Sequence, residues 1–277
     1  MFYSDVLDHL MRDKKNPVNQ MYLHEIELMW KEVQKAIALS LHHGTNDDMV
    51  IAINKFTEII ANPKYRYDKF KKKGFHYESQ LFQPQYIADL LTIFFERTGV
   101  LDHYGIKWGF QRFDQGPKYS PRSLLDNEKK PHFTRYDSNR YPMLTRTMEF
   151  QYRIEGRRNF ERSEQVFPLL VFGLFSRFDP IDMTQCEAQA RLAKEAFPQC
   201  KFIVISETLR ENFVPEIDKS DIDILFVLRK QFFNKRKKTR KIALDVMNVL
   251  EKKIVDYLNF NEVPREDIFR SRGMLEK

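Results

Sequence analysis

The stretch VFPLLVFGLFSRFDPIDMTQCEAQARLAKEAFPQCKFIVISE, residues 166–207, predicts a strand, a helix and a second strand. Residues 166–175 form a nearly continuous apolar run of strand length, which is typical of a strand covered by helices on both faces. Residues 201–205 form a second run, rich in β-branched side chains. Two strands joined by a crossover helix make a parallel βαβ unit, and strand ends of this kind often carry active sites.

The segment between the two apolar runs carries start and stop signals of a helix. Asp179 and Pro180 are predicted to end the first strand. Asp182 or Thr184 is predicted to cap the helix, and Pro198 to end it. The helix therefore has a suitable length for a crossover between parallel neighbours.

The composition is that of a globular and basic protein. Of the 277 residues, 42% are hydrophobic and 31% are charged, so we expect a folded core. A net charge of +7 favours a polyanionic partner.

The longest apolar run is too short to cross a bilayer and the first residues lack a signal-peptide pattern, so we expect no membrane contact and a cytoplasmic location. Cys186 and Cys200 fit no metal-binding pattern and are predicted to be buried thiols.

The remaining segments predict helices before the central stretch and mixed elements around it. Residues 1–100 are expected to form an N-terminal helical region and residues 101–277 an α/β region, together making one compact unit. Residues 1–19 are polar and predicted to be loosely held. The strand predicted at residues 147–154 is expected to pair with residues 166–175 in an antiparallel hairpin. The other predicted helices and strands are residues 20–42, 46–60, 82–97, 147–154, 220–229 and 242–258.

Three basic segments are candidates for contact with phosphates. YRYDKFKKKGFHYES (residues 65–79) places aromatic and basic residues side by side, which suits stacking and phosphate contact but equally a solvated loop. Residues 102–141 either hold base-reading side chains or form a long surface excursion. RKQFFNKRKKTRK (residues 229–241) has eight basic residues and no acidic one. The candidate DNA-binding residues are Lys69, Lys71, Lys72, Lys73, Arg112, Lys118, Arg135, Arg140, Arg229, Lys230, Lys235, Arg236, Lys237 and Lys238.

Three stretches resemble subunits of two-subunit type II restriction endonucleases of the BbvCI type. SQLFQPQYIADLLTIFFERTG (residues 79–99) is similar to a family helix that opens with Gln-Pro. FPLLVFGLFSRFD through ARLAKEAFPQCKFIVISE (residues 167–207) is similar to the catalytic strand, the helix and the next strand. EIDKSDIDILFVLRKQ (residues 216–231) is similar to the acidic turn, strand and basic exit that follow. The resemblance extends over about residues 20–258 and is spread along the chain.

The resemblance implies the PD-(D/E)xK nuclease fold. This is an α/β (α+β) fold in which a mixed central sheet is flanked by helices, here with an N-terminal helical part. It also implies double-stranded DNA as partner and a second subunit, in a heterodimer or homodimer, within a restriction-modification defence system. Magnesium is the cofactor of such nucleases.

The nuclease chemistry of that fold needs an acidic residue on one strand and, on the next strand, a carboxylate and a lysine two residues apart. That spacing places both side chains on one face of the strand. The carboxylates hold magnesium and the lysine stabilises developing charge. By the resemblance, Glu149 occupies the first acidic position and is the candidate metal ligand, while Gly173 and Phe175 occupy the carboxylate and lysine positions. The motif is therefore predicted to be degenerate.

Migrated residues offer a second interpretation. Glu187 on the following helix, with Lys194 or Lys201, could replace the lost pair, giving a catalytic set of Glu149, Glu187 and Lys201 with Mg²⁺ as cofactor. Ordinary solvated charges are the alternative for all of these residues. Whether the chain is an enzyme stays open at this point.

Three functions are compatible with these patterns. The first is a DNA-binding, pseudo-nuclease subunit of a restriction-endonuclease-like system. The second is an active site-specific endonuclease with migrated residues. The third, of another class, is a protein-interaction module that keeps the fold without catalysis.

Overall fold

The computed structural model describes residues 2–12, 17–43, 45–60, 85–118, 132–137, 141–152, 161–233 and 240–262. The helices are α1 (Phe2–Met11), α2 (Pro17–His43), α3 (Asp47–Ile60), α4 (Gln85–Thr98), α5 (Pro180–Ala196) and α6 (Leu244–Glu262). The strands are β1 (Ile106–Gly109), β2 (Arg112–Lys118), β3 (His132–Asp137), β4 (Met143–Tyr152), β5 (Glu161–Phe178), β6 (Lys201–Arg210), β7 (Ile224–Val227) and β8 (Phe232–Phe233). Short 3-10 turns occupy Val100–Asp102 and Ile217–Lys219. None of the helices described is long and apolar enough to span a membrane.

A mixed sheet forms the centre of the molecule. Its strands lie in the order β1, β4, β5, β6, β7, and β8 pairs with the far end of β6. β4 is antiparallel to β1 and β5, whereas β5, β6 and β7 are parallel. The predicted hairpin and βαβ unit are both confirmed, although β5 is 18 residues long and begins before the apolar run. β2 and β3 form a separate antiparallel pair, with β2 against β5 and α5.

The crossover helix α5 begins earlier than predicted. Asp179 Oδ1 accepts hydrogen bonds from the backbone N–H groups of Ile181 (2.9 Å) and Asp182 (3.2 Å), and Asp182 Oδ2 accepts one from Asp179 N (3.2 Å). This reciprocal pair is a capping box. The prediction of Asp182 or Thr184 as the cap is wrong because Pro180 opens the helix, where its fixed φ is favourable and its missing N–H costs nothing.

Each face of the sheet has its own hydrophobic core, because successive side chains of β5 point to opposite faces. Leu170 and Phe172 pack with α1 to α4 and α6. Val171 and Phe175 pack with α5. Leu7 of α1 is fully buried in the first core, so the prediction of a loosely held segment is wrong for Phe2–Met11.

Arg97 at the end of α4 forms hydrogen bonds with residues near the end of α2, before α3 and on α6. Its Nη1 donates to Asn46 Oδ1 (2.8 Å) and to Glu251 Oε1 of α6 (2.9 Å). Its Nη2 donates to the carbonyl oxygens of Ser40 (3.1 Å) and Thr45 (2.8 Å). The guanidinium therefore satisfies backbone carbonyls at the end of α2 and pairs with the closing helix.

Arg97→Met is expected to lower the free energy of unfolding by about 3–5 kcal/mol, since Glu251 loses its charge partner and keeps only the Asn46 Nδ2 donor, and the carbonyl oxygens of Ser40 and Thr45 lose the guanidinium. Urea unfolding followed by circular dichroism measures this. The matched control is Arg191→Met, whose ion pair with Asp221 is exposed (69% and 40% of the side chains) and should contribute about 0–1 kcal/mol. Equal losses for the two variants would contradict a central role for Arg97.

Candidate functional site

The two positions that the resemblance assigns to the carboxylate and the lysine of the nuclease motif lie in the second core. Gly173 and Phe175 share one face of β5, directed at α5. Phe175 is buried, with its ring 5.1 Å from that of Phe178. Phe202 of β6 belongs to the same cluster. Apolar side chains thus surround both positions.

Gly173 is in close contact with the crossover helix. A Cβ atom at this position would lie 3.1 Å from Cys186 Sγ, 3.0 Å from Phe175 Cε2 and 3.5 Å from Val204 Cγ2. Contacts of this length leave no room for a carboxylate unless α5 or its side chains shift. The surrounding atoms are carbon and sulfur, and Mg²⁺ requires oxygen ligands, so these residues do not fit the metal.

The register of the hairpin separates Glu149 from Gly173. Glu149 lies opposite Glu164 of β5, whereas the last ladder pair before Gly173 is Met143 with Val171. Tyr141, just before β4, belongs to the same core as Val171. From a rise of about 3.3 Å per residue, Glu149 is about 30 Å along β5 from Gly173. Glu149 and the motif positions therefore do not form one site.

Glu149 instead has a carboxylate neighbour that the sequence reading missed. Glu164 is its cross-strand partner, and both side chains are exposed. Directly opposed side chains of an antiparallel pair have Cβ atoms about 5 Å apart, so these like charges repel each other. Arg162 Nε lies 3.4 Å from Glu149 Oε1 and offsets part of this repulsion. Residues 161–165 (ERSEQ) are all polar and give no strand signal, so the sequence alone does not place Glu164 opposite Glu149.

The candidate migrated residues do not converge with Glu149. Lys201 begins β6 opposite Leu170, about 20 Å along β5 from Glu149. Glu187 follows Cys186 on α5 and is half-buried. Within the described parts of the chain, no group of three or more Asp, Glu, His or Cys side chains could hold a metal ion. The proposed set of Glu149, Glu187 and Lys201 is thus not assembled.

Both candidate lysines are bound by one carboxylate. Asp223 Oδ2 lies 2.9 Å from Lys194 Nζ, and Asp223 Oδ1 lies 3.2 Å from Lys201 Nζ. The same carboxylate accepts a hydrogen bond from Phe202 N at 2.8 Å. Burial, with a smaller contribution from Asp223, raises the pKa of the neighbouring Cys200 thiol to about 12. The two lysines therefore have a structural role: they pair with the carboxylate that holds the amino end of β6.

Arg229 is not a surface residue, which corrects its assignment as a DNA contact. Only 6% of it is exposed, and its Nε donates to Glu207 Oε2 at 2.7 Å. Its Nη1 donates to the carbonyl oxygen of Arg240 at 2.6 Å. Burial, followed by the nearby Glu207 carboxylate, raises the pKa of the Tyr86 phenol well above its ordinary value, so Tyr86 is neutral beside this pair. Arg229 therefore makes its hydrogen bonds within the fold, at the carboxyl ends of β6 and β7.

The basic segment after β7 is anchored at both ends. Lys230 has a left-handed backbone (φ 46°), is exposed, and pairs with Asp245. Arg240 N donates to Gln231 Oε1 (2.7 Å), and its Nη1 donates to the carbonyl oxygen of Lys230 (3.3 Å). These bonds join the two ends of the segment whose centre, residues 234–239, holds four of the candidate phosphate contacts.

The other candidate DNA contacts lie partly or wholly outside the described residues. Arg112 and Lys118 are the first and last residues of β2, and Arg135 is on β3, opposite Asp114. Their side chains fall outside the description. The remaining candidates lie entirely outside the described residues: Lys69, Lys71, Lys72, Lys73, Arg140, Lys235, Arg236, Lys237 and Lys238.

Comparisons with known proteins bear on the fold. No protein-family model matches the sequence. No curated protein matches it either. Among solved structures, a chain described as "native BbvCI A2B2 tetramer at low resolution" matches with a TM-score of 0.61 and 12% identity, covering 95% of this chain and 98% of that one. The chain has the fold of a BbvCI subunit. The predicted restriction-endonuclease-like fold class is confirmed.

Gly173→Ala is expected to reduce the free energy of unfolding by about 1–3 kcal/mol, because the new methyl group overpacks the contact with Cys186. In the double variant with Cys186→Ala, the loss should fall short of the sum of the single losses by at least about 0.5 kcal/mol. Urea unfolding of the four proteins measures the coupling, and strictly additive losses would refute it. Ala188→Ser, on the exposed side of the same helix, is the control and should change stability by less than about 0.5 kcal/mol.

Proposed function

We propose that this chain is a DNA-binding subunit of a restriction-endonuclease-like system whose own PD-(D/E)xK centre is lost. The observation that supports this is the burial of Gly173 and Phe175 in an apolar core beneath α5. The fold of a BbvCI subunit is retained around that core. A scaffold that keeps its fold while losing the polar groups at its reactive positions serves recognition or assembly.

DNA binding follows from charge and from the placement of the basic segment. The net charge is +7, and residues 234–239 include four basic residues between firmly anchored ends. The lysines and the arginine of residues 234–239 carry the positive charge that contact with phosphates requires. Double-stranded DNA is the proposed partner.

A second subunit completes the proposed system. The BbvCI structure that this chain resembles is a tetramer of two kinds of subunit. A chain without its own nuclease centre acts beside a different, active subunit, whereas a second copy of this chain supplies only a further binding surface. The proposed cellular setting is the cytoplasm, where restriction-modification defence operates.

An active endonuclease is the alternative, and one observation favours it. Glu149 and Glu164 are two carboxylates on one face of the hairpin, the number through which proteins commonly bind Mg²⁺ together with substrate phosphates. When bound, Mg²⁺ supplies Lewis-acid activation of a phosphate and a water molecule. Against this, the basic residue beside the pair is Arg162, already bonded to Glu149, and Glu187 and Lys201 lie elsewhere.

The chain alone, incubated with magnesium and supercoiled plasmid, is expected to leave the plasmid intact, because no complete nuclease centre exists at Gly173 and Phe175. Gel electrophoresis of plasmid topoisomers measures this. Reproducible nicking that both Glu149→Ala and Glu164→Ala abolish would establish the active alternative instead. Glu195→Ala, an exposed carboxylate on α5, is the matched control and should have no effect in either case.

A non-catalytic interaction module is the proposal of another class, and a salt titration separates it from DNA binding. Neutralising the four basic residues of the loop is expected to weaken DNA binding and to reduce the slope of log affinity against log salt by about 3–4, because each phosphate contact contributes about 0.9. The substitutions are Lys235→Gln, Arg236→Gln, Lys237→Gln and Lys238→Gln. The control substitutions, which remove the same charge from exposed sites, are Lys31→Gln, Lys35→Gln, Lys219→Gln and Lys252→Gln. Identical slopes for the two sets would indicate the interaction module.

A further inference from the structure

One face of the sheet carries two arginines and an aromatic ring at the carboxyl ends of β5, β6 and β8. Arg177 lies opposite Thr208, and Arg210 lies opposite Phe233. Thr208 and Arg210 are two residues apart on β6, so all four side chains belong to the same face. Both arginines are exposed, whereas Phe233 is partly covered. This end of the sheet therefore presents two cations to the surroundings.

The Arg177 side chain crosses that face from one edge strand towards the other. Its guanidinium carbon lies 5.2 Å from the centre of the Phe233 ring, a cation–π distance. Leu209 pairs with both β5 and β8, so β6 lies between these two strands, and neighbouring strands are about 4.8 Å apart. To reach the ring, the Arg177 side chain must pass over β6, the strand that carries Arg210. The cation–π contact thus brings the two arginines into one small area.

Neither arginine is neutralised within the described part of the fold. The nearby Arg229 pairs with Glu207. By contrast, no ion pair formed among the described residues engages Arg177 or Arg210. Guanidinium groups held close together repel each other, and an anion placed between them removes this repulsion. The planar donor fork of arginine fits phosphate oxygens especially well, so a phosphate group is the anion that this pair suits.

We propose that Arg177 and Arg210 together bind one phosphate group of the DNA backbone. Phe233 is a positioning residue, because its ring holds the Arg177 guanidinium beside Arg210. This inference rests on the proposed DNA-binding function and adds to it a contact outside the three basic segments. Phosphate contacts fix the position of a protein on the duplex and carry no sequence information, so the pair orients the DNA and does not read its bases.

A salt titration of DNA affinity tests the shared phosphate on the full chain. Fluorescence anisotropy with a labelled duplex of about 20 base pairs, at about 50–200 mM salt, gives the slope of log affinity against log salt. The double variant Arg177→Gln, Arg210→Gln is expected to bind more weakly, with a slope reduced by about one in total, because one phosphate contributes about 0.9. The control variant, Arg12→Gln with Arg191→Gln, removes the same charge from two exposed sites elsewhere and should leave the slope unchanged.

The role of Phe233 has a separate test. Phe233→Leu keeps every charge but removes the ring, so it is expected to weaken duplex binding about two- to fivefold without changing the salt slope. Phe233→Tyr retains a ring and should bind as the wild type does. Circular dichroism and urea unfolding establish that each variant is folded. Equal affinities for Phe233→Leu and the wild type would show that the ring does not position Arg177.

The remaining outcomes separate the phosphate contact from DNA binding itself. A steep wild-type slope that the double variant and the control variant share would overturn the contact and leave the proposed DNA-binding function standing. A slope reduced by about two would mean two separate phosphates and would overturn the shared one. Weak, salt-insensitive binding by the wild type would overturn the DNA-binding function. Calorimetric binding of inorganic phosphate that Arg177→Gln abolishes, with unchanged DNA affinity, would indicate a site for a small anion instead.

Discussion

The contact between Gly173 and Cys186 sets the position of the crossover helix on the sheet. β5 and β6 are neighbours in the parallel part of the sheet, and α5 must lie over both for the chain to pass from one to the other. At Gly173 the helix approaches so closely that a Cβ atom would lie 3.1 Å from the Cys186 sulfur and 3.0 Å from the Phe175 ring. A side chain here would force these neighbours to shift within the core that contains Phe175, Phe178 and Phe202. The same contact that stabilises the fold therefore excludes a catalytic carboxylate.

Much of the sheet could be predicted from the sequence because its strands are apolar and its turns carry clear signals. The hairpin of β4 and β5 and the βαβ unit follow from the 166–175 and 201–205 runs. The start of α5 was misplaced because an Asp-Pro pair suits both the end of a strand and the first turn of a helix. The polar residues of 1–19 conceal α1, whose sequence FYSDVLDHLM does carry apolar residues at helical spacing. Its burial depends on contact with other helices, which one segment cannot reveal.

The candidate site was less accessible from sequence, since it depends on register. Glu149 could be placed on its strand, but its neighbour is decided by the length of β5 and the pairing of two strands. Arg229 belongs to a segment with many cations, and its burial results from Glu207 on another strand. Charge content indicates that a segment is basic, but it does not show which of its cations pair within the fold. Arg177 and Phe233 lie far apart in sequence, and the guanidinium reaches the ring only because β5, β6 and β8 end at one edge.

The two buried cysteines have a consequence for chemical reactivity. Cys186 and Cys200 are both buried, and burial raises the pKa of the Cys200 thiol to about 12, so this thiol is protonated at neutral pH. Oxidants and alkylating reagents act on exposed thiolates, so the packing between α5 and β5 is insensitive to the redox state of the surroundings. A cysteine introduced on the surface can therefore carry a maleimide fluorophore selectively, while both native thiols stay unmodified and Cys186 keeps its contact with Gly173.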